Sequence, residues 1–232
     1  MERSSKDQPS SLQLWDRGCV HDDARQAFVL PLVRELVNDI KPTMLIDIGA
    51  RTGYLLWALL ISHSLTLRAA RLIAIDHDHD AVEYMRRRFH NTHVEVVHAQ
   101  AEEWVAGDRP DKEKRRALHI LAYTALELDK DALCTMFASV STGDSLVVIL
   151  PDVAEDVELA GQLSHFLTVG TVYLRKVDKF TGRVYPFIAR RLEIWLPWAL
   201  ESGLCLQRVR SYRTARDHRH YAFYFDGPAV RR

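Results

Sequence analysis

Leu45-Ile46-Asp47-Ile48-Gly49-Ala50-Arg51-Thr52-Gly53-Tyr54 decides how this 232-residue chain is read. An unbroken apolar run ends in an acid, crosses two glycines and enters an apolar stretch of helical length, 53–62. A run without polar alternation fits a strand buried on both faces. In open parallel sheets, ligands bind outside the carboxyl ends of the strands. Glycine at 49 predicts close approach of backbone to a ligand, and Gly53 predicts tight packing of helix on strand. Taken alone, an ordinary glycine turn explains the same residues.

The flanking pattern extends this unit. Phe28, Leu32, Val33, Leu36, Val37 and Ile40 give residues 24–39 a helical stripe, ended by Lys41-Pro42. Further apolar runs at 71–76, 94–98, 117–122 and 145–150 read as strands, with helices at 80–89 and 128–140 between them. Asp80 and Glu83 have the spacing of a capping box. Strands alternating with helices imply crossover connections and a largely parallel sheet. After Pro151, segments 169–176 and 183–187 flank Asp178-Lys179-Phe180-Thr181-Gly182 as a hairpin. A helix over 188–202, bent at Pro197 and closed by Gly203, precedes strands 204–212 and 220–225. The expected fold is α/β: a Rossmann-like, seven-stranded, mostly parallel sheet with helices on both faces and an antiparallel C-terminal hairpin. Residues 1–11 read as a disordered arm, 12–232 as a single domain, and 153–187 as an insertion after the fifth strand.

Spacing sharpens the site. Asp76 closes the second strand, where a carboxylate can accept from two vicinal ribose hydroxyls. The third strand runs into His98-Ala99-Gln100-Ala101-Glu102, so three neighbouring strands end in polar residues beside one turn. That makes a slot shaped for a nucleoside. In these residues the chain resembles the class I S-adenosylmethionine-dependent methyltransferases. Asp47-Ile48-Gly49-Ala50-Arg51-Thr52-Gly53 matches their D-x-G-x-G-x-G loop at three of four defining positions. Asp76 falls on the ribose acid, Gln100-Ala101 near the adenine, and Ser141-Thr142-Gly143-Asp144-Ser145-Leu146 on the turn before the fifth strand. The resemblance implies S-adenosyl-L-methionine as cofactor, held by Asp47, Gly49, Ala50, Arg51, Gly53, Asp76, His77, Gln100, Ala101 and Tyr123. Two departures stand out: Arg51 replaces the middle glycine, and Ala117 or Leu118 stands where many relatives carry an acid.

Composition excludes other classes. Apolar residues are 47% and charged residues 27%, as in globular chains. No apolar run approaches the ~20 residues of a bilayer span, and residues 1–11 carry no signal-peptide core. Cys19, Cys134 and Cys205 form no C-x-x-C, which argues against a disulfide framework or a zinc site and for a cytoplasmic setting. Net charge is zero, but residues 175–232 carry +8 and the remainder −8. The basic segment reads as solvated faces or as a cover over an anionic group. A nicotinamide dehydrogenase needs G-x-G-x-x-G, whereas this loop is G-x-x-x-G. An RNA-binding or RNA-modifying relative would use Arg208, Arg210, Arg213, Arg216 and Arg219, but no N-P-P-Y-like motif follows the fourth strand. A catalytically inactive scaffold is a third alternative.

Methyl transfer from a sulfonium is a direct displacement that needs alignment and, for a hydroxyl or ammonium nucleophile, a base. Candidates past the fourth and fifth strands are His165, Tyr123 and Asp152, with Glu127 and Tyr185 behind them. Tyr173, Phe180, Tyr185 and Phe187, with Trp15 and Phe28, are candidates to enclose a small acceptor. The expected reaction is methylation of an O or N nucleophile on a small organic molecule, an anionic group on that molecule being one option. No metal, no membrane and no nucleic acid partner is expected; the oligomeric state is left open, a homodimer being one option. His77-Asp78-His79-Asp80 reads as a polar loop and helix cap rather than a metal site.

Overall fold

The computed structural model describes residues 10–62, 67, 69–107, 116–177 and 184–228. Five parallel strands form the centre: β1 (Met44–Ile48), β2 (Arg71–Asp76), β3 (Val94–His98), β4 (Ala117–Ala122) and β5 (Ser145–Pro151). β8 (Cys205–Arg213) and β9 (Arg219–Asp226) complete a seven-stranded sheet in the order β3-β2-β1-β4-β5-β9-β8, with β9 antiparallel to β5 and β8 antiparallel to β9. The order reverses between β1 and β4, the place where such sheets open a crevice at their carboxyl ends.

Alternation along the strands builds two cores. Leu45, Leu72, Leu118 and Val147 face one side, against α2 (Leu30–Ile40), α3 (Tyr54–Ile61) and α4 (His79–Phe89). Ile46, Ile48, Ile73 and Ile75 face the other, with α5 (Ala101–Ala106), α6 (Lys130–Ala138) and α9 (Leu192–Glu201). At the opposite edge of the strands, the buried Asp144 carboxylate accepts from Ala117 N at 2.8 Å and so pins β4 beside the turn before β5.

The sequence reading and the structure differ in definite places. Ser11 begins α1 (Ser11–Val20) instead of ending a disordered arm, because Ser10 and Gln13 form a capping box; residues 1–9 of the expected arm lie outside the described residues. The expected helix over 24–39 starts as a π-helical turn, Arg25–Val29. Asp78, not Asp80, caps α4, its carboxylate accepting from Asp80 N at 2.9 Å, while Glu83 pairs with Arg86. β7 (Val184–Arg190) runs on past residue 187, so α9 begins at Leu192, and Pro197 lies within it. β6 (Thr171–Val177) and β7 make a separate two-stranded sheet over a small core of Leu126, Val153, Val157 and Phe166. α7 (Ala154–Leu159) and α8 (Leu163–Val169) lie between β5 and this hairpin, whose expected turn 178–182 is outside the described residues. Among the described residues, no helix is long and apolar enough to cross a membrane.

Candidate functional site

The loop after β1 is tied to the end of β2. Gly49 N and Ala50 N both donate to the Ile75 carbonyl at 2.9 Å. Arg51 N donates to one oxygen of the Asp76 carboxylate at 2.7 Å and Asp78 N to the other at 2.9 Å. Gly49, Arg51 and Gly53 have φ of 70°, 57° and 69°, the left-handed region that favours glycine. The Cα of Gly49 does not open onto free space: a Cβ there would stand 2.3 Å from Thr124 Oγ1. Thr124 is fixed in turn by donating to the Ile48 carbonyl at 2.7 Å. The missing side chain of Gly49 thus admits Thr124. At Gly53 a Cβ would lie 2.4 Å from the Phe89 ring, so this glycine serves packing, though against α4 more than against the strand.

Arg51 occupies a strained backbone position, so Arg51→Gly relieves roughly 1 kcal/mol of left-handed strain. The greater freedom of glycine in the unfolded chain offsets it by a similar amount. A thermal melt of this variant is expected within about 3 °C of the parent.

α1 and the π-helical turn lie over this loop. Asp16 pairs with Arg88 and accepts from Thr52 Oγ1 at 3.0 Å, while Arg88 also donates to the Thr52 carbonyl at 2.9 Å. The Arg25 guanidinium sits 4.8 Å from the Trp15 ring and 5.0 Å from the Tyr123 ring. Arg51 reaches the same Trp15 ring at 5.9 Å, and its Nε is buried with no hydrogen-bond acceptor among the described residues. Gln26 locks the π-helical turn by donating to Tyr54 Oη at 2.6 Å and to the Cys19 carbonyl at 2.9 Å. π-turns are rare and recur at functional sites.

Burial pushes the Asp47 carboxyl up to about 7, against the pull of Arg25. The folded state binds the proton more tightly than the unfolded chain, so this carboxyl's contribution to stability is fully present below pH 3.8 and is lost as pH rises towards about 7. The loss amounts to at most about 4 kcal/mol. Asp47→Asn should remove that slope: denaturant midpoints compared at pH 4 and pH 8 are expected to show the variant gaining on the parent at the higher pH.

The remaining candidates divide by location. His77 is exposed, and its carbonyl meets His98 Nε2 at 3.0 Å. Gln100 is the exposed residue capping α5, and Ala101 is buried as that helix begins. Glu127 lies within the field of Arg51, Asp76 and His77; its surface is exposed, yet the protein around its carboxyl raises its pKa. Tyr123, in a left-handed conformation, holds its hydroxyl 3.1 Å from His220 Nδ1, and burial raises the phenol's pKa so that it stays protonated. Asp152 accepts from Ala154 N at 3.1 Å, a local turn bond that accounts for it. His165 falls elsewhere, in a groove of about 550 Å³ lined by Lys130, Tyr173, Arg190 and Trp198, with none of the loop residues. Tyr185 and Phe187 pack in the small core under the hairpin, Tyr173 is exposed, and Phe28 stacks on Tyr212 at 5.7 Å. Of the expected aromatic enclosure, only Trp15 stands at the site; Phe180 is outside the described residues.

Arg25, Thr124 and His220 were not legible as site residues. β9 pairs His220 with Pro151 at the end of β5, and burial lowers its pKa from the usual 6.5. Several C-terminal arginines are used within the chain: Arg208 and Arg210 bind Glu35 at 3.0 and 2.6 Å, and Arg213 binds Asp217 at 3.0 Å.

No protein-family model and no curated protein matches this sequence. Solved structures do. The PH0226 protein from Pyrococcus horikoshii OT3 is 12% identical, with a TM-score of 0.61 over 89% of this chain and 92% of that one. An S-adenosylmethionine-dependent methyltransferase from Clostridium acetobutylicum ATCC 824 is 10% identical, with a TM-score of 0.60 over 92% and 98%. The glycopeptide N-methyltransferase MtfA, complexed with sinefungin, is 12% identical, with a TM-score of 0.55 over 84% and 85%. The chain therefore has the fold of the class I S-adenosylmethionine-dependent methyltransferases.

Proposed function

We propose that this protein transfers a methyl group from S-adenosyl-L-methionine to an O or N nucleophile of a small organic molecule bearing an anionic group. One observation carries the reading: two strand-end acids, Asp47 and Asp76, two arginines and two aromatic rings converge at the carboxyl ends of β1, β2 and β4, where this sheet order reverses. The site suits the cofactor chemically. Each Asp76 oxygen takes one backbone N–H and keeps a lone pair, enough to accept from two vicinal ribose hydroxyls. The buried Nε–H of Arg51, without an acceptor among the described residues, is a donor for an anionic ligand group. When bound, the cofactor supplies an electrophilic methyl on a sulfonium.

The chain's own residues position, exclude water and handle a proton. Asp76 orients the ribose, and Gln100 with Ala101 borders the adenine end. α1, through Trp15, shuts solvent from the loop, which strengthens the polar contacts beneath it. Tyr123 and His220 stand on the acceptor side, at the ends of β4 and β5. His220, kept neutral by burial, suits a general base better than His165, which lines a separate groove.

Mass spectrometry of the protein purified from its native cells tests this reading. Retention of S-adenosylmethionine or its demethylated product is expected, together with a small anionic acceptor or its methylated form. Retention of a nicotinamide dinucleotide in their place would overturn it.

A further inference from the structure

The groove that holds His165 lies among α6, α8, β6, β7 and α9 and has a chemistry of its own. Its volume of about 550 Å³ falls within the range of roughly 300–1,000 Å³ that small-molecule sites occupy. The side chains around it are of one sign. Lys130, the first residue of α6, His165 on α8 and Arg190, the last residue of β7, all bring N–H donors, and among the described residues no Asp or Glu lines the groove.

Arg190 is the fixed point. It is 9% exposed, and the hairpin register sets it opposite Thr171, which lines the same groove. Its guanidinium donates to the Ala125 carbonyl at 3.2 Å and to the Leu128 carbonyl at 2.6 Å, which uses two of its five N–H groups. The carboxylate whose field reaches Arg190 is Asp129, and that carboxylate is engaged in capping α6, where it accepts from Ala132 N at 2.9 Å. Carbonyl dipoles hold a cation in place without neutralising it. A nearly buried guanidinium held only in this way favours an incoming anion.

Trp198 supplies a flat wall. The Arg190 Cζ stands 5.9 Å from its ring and the Lys130 Nζ 5.5 Å, so one indole lies beside both cations. The exposed Tyr173 adds a second ring to the lining. A ligand with a carboxylate on an aromatic body uses everything present: the carboxylate meets the cations, and the ring meets the indole. Inorganic phosphate would leave the indole unused, and a neutral ring would leave the cations unused.

We propose that this groove is a binding site for an aromatic carboxylate, distinct from the crevice at the ends of β1 and β2. Arg190 and Lys130 take the carboxylate, and Trp198 takes the ring. Occupancy of this groove requires no adenosyl cofactor.

Calorimetric titration with 2-naphthoate, and with 2-naphthamide as its uncharged counterpart, tests the proposal. The parent chain is expected to bind 2-naphthoate at least tenfold more tightly than 2-naphthamide. Lys130→Gln should weaken 2-naphthoate by roughly three- to tenfold and leave 2-naphthamide within about twofold. Trp198→Leu should weaken both probes. Arg190→Lys, which keeps the charge but not the fork, should weaken 2-naphthoate by roughly tenfold. Circular dichroism melts establish which variants are folded; Lys130 lies on the surface, so its variant keeps the test valid if the Arg190 variant is not. A millimolar excess of S-adenosylhomocysteine should leave the 2-naphthoate affinity unchanged. Equal affinity of the parent for the two probes, an unchanged 2-naphthoate affinity in Lys130→Gln, or displacement of 2-naphthoate by S-adenosylhomocysteine would each overturn the proposal.

Discussion

Gly49→Val is expected to destabilise the domain by roughly 3 kcal/mol or more, instead of leaving a folded protein that has lost its ligand. Two terms add. The residue sits at φ 70°, which costs a branched side chain at least about 1 kcal/mol. The new Cβ would stand 2.3 and 2.5 Å from Thr124 Oγ1 and Cγ2, and Thr124 cannot swing away without giving up its bond to the Ile48 carbonyl. A cycle in urea separates the terms. Gly49→Ala should lose about 2–4 kcal/mol, and adding Thr124→Ala should recover the clash while leaving the backbone strain. Strict additivity of the two substitutions would show that Thr124 is not what Gly49 accommodates.

Asp76→Ala carries the second large effect, and it acts on fold and ligand together. The carboxylate is buried and accepts from Arg51 N and Asp78 N, so truncation strands two backbone donors at the head of the sheet. A buried unpaired N–H costs about 1–3 kcal/mol, which puts the expected loss of stability near 2–4 kcal/mol. Cofactor affinity should fall by a further ~1.5–3 kcal/mol, the size of a lost charge-assisted bond. Asp76→Asn keeps one acceptor and should lie between in both measurements. Urea midpoints give the first quantity, and titration under conditions where each variant is fully folded gives the second. A variant as stable as the parent would mean that the loop does not depend on Asp76.

What could be read from the sequence was what local physics decides. β1, β2, β4 and β5 are largely apolar because both faces are covered, and a short apolar run closed by an acid or a glycine is hard to mistake. Asp76 was legible because it terminates such a run. What escaped the reading depends on contacts made far along the chain. Thr124 meets Gly49 from 75 positions away, in a turn whose sequence advertises nothing. His220 reaches the site only because β9 runs antiparallel to β5, and a two-residue shift of that register would leave it elsewhere on the edge. Trp15 and Arg25 belong to segments whose own pattern says helix, without saying which part of the sheet they cover. His165 was chosen for its intrinsic chemistry, and the groove it lines is set by the packing of α8 and β6, which the sequence does not show.

The account stands or falls on whether the crevice at β1 and β2 takes an adenosyl cofactor. Titration of S-adenosylhomocysteine into the intact chain, followed by calorimetry, is the most direct measurement. The account predicts one site of micromolar affinity in the parent and at least tenfold weaker binding in Asp76→Asn. No heat of binding up to millimolar ligand, or equal affinity in the two proteins, would contradict it.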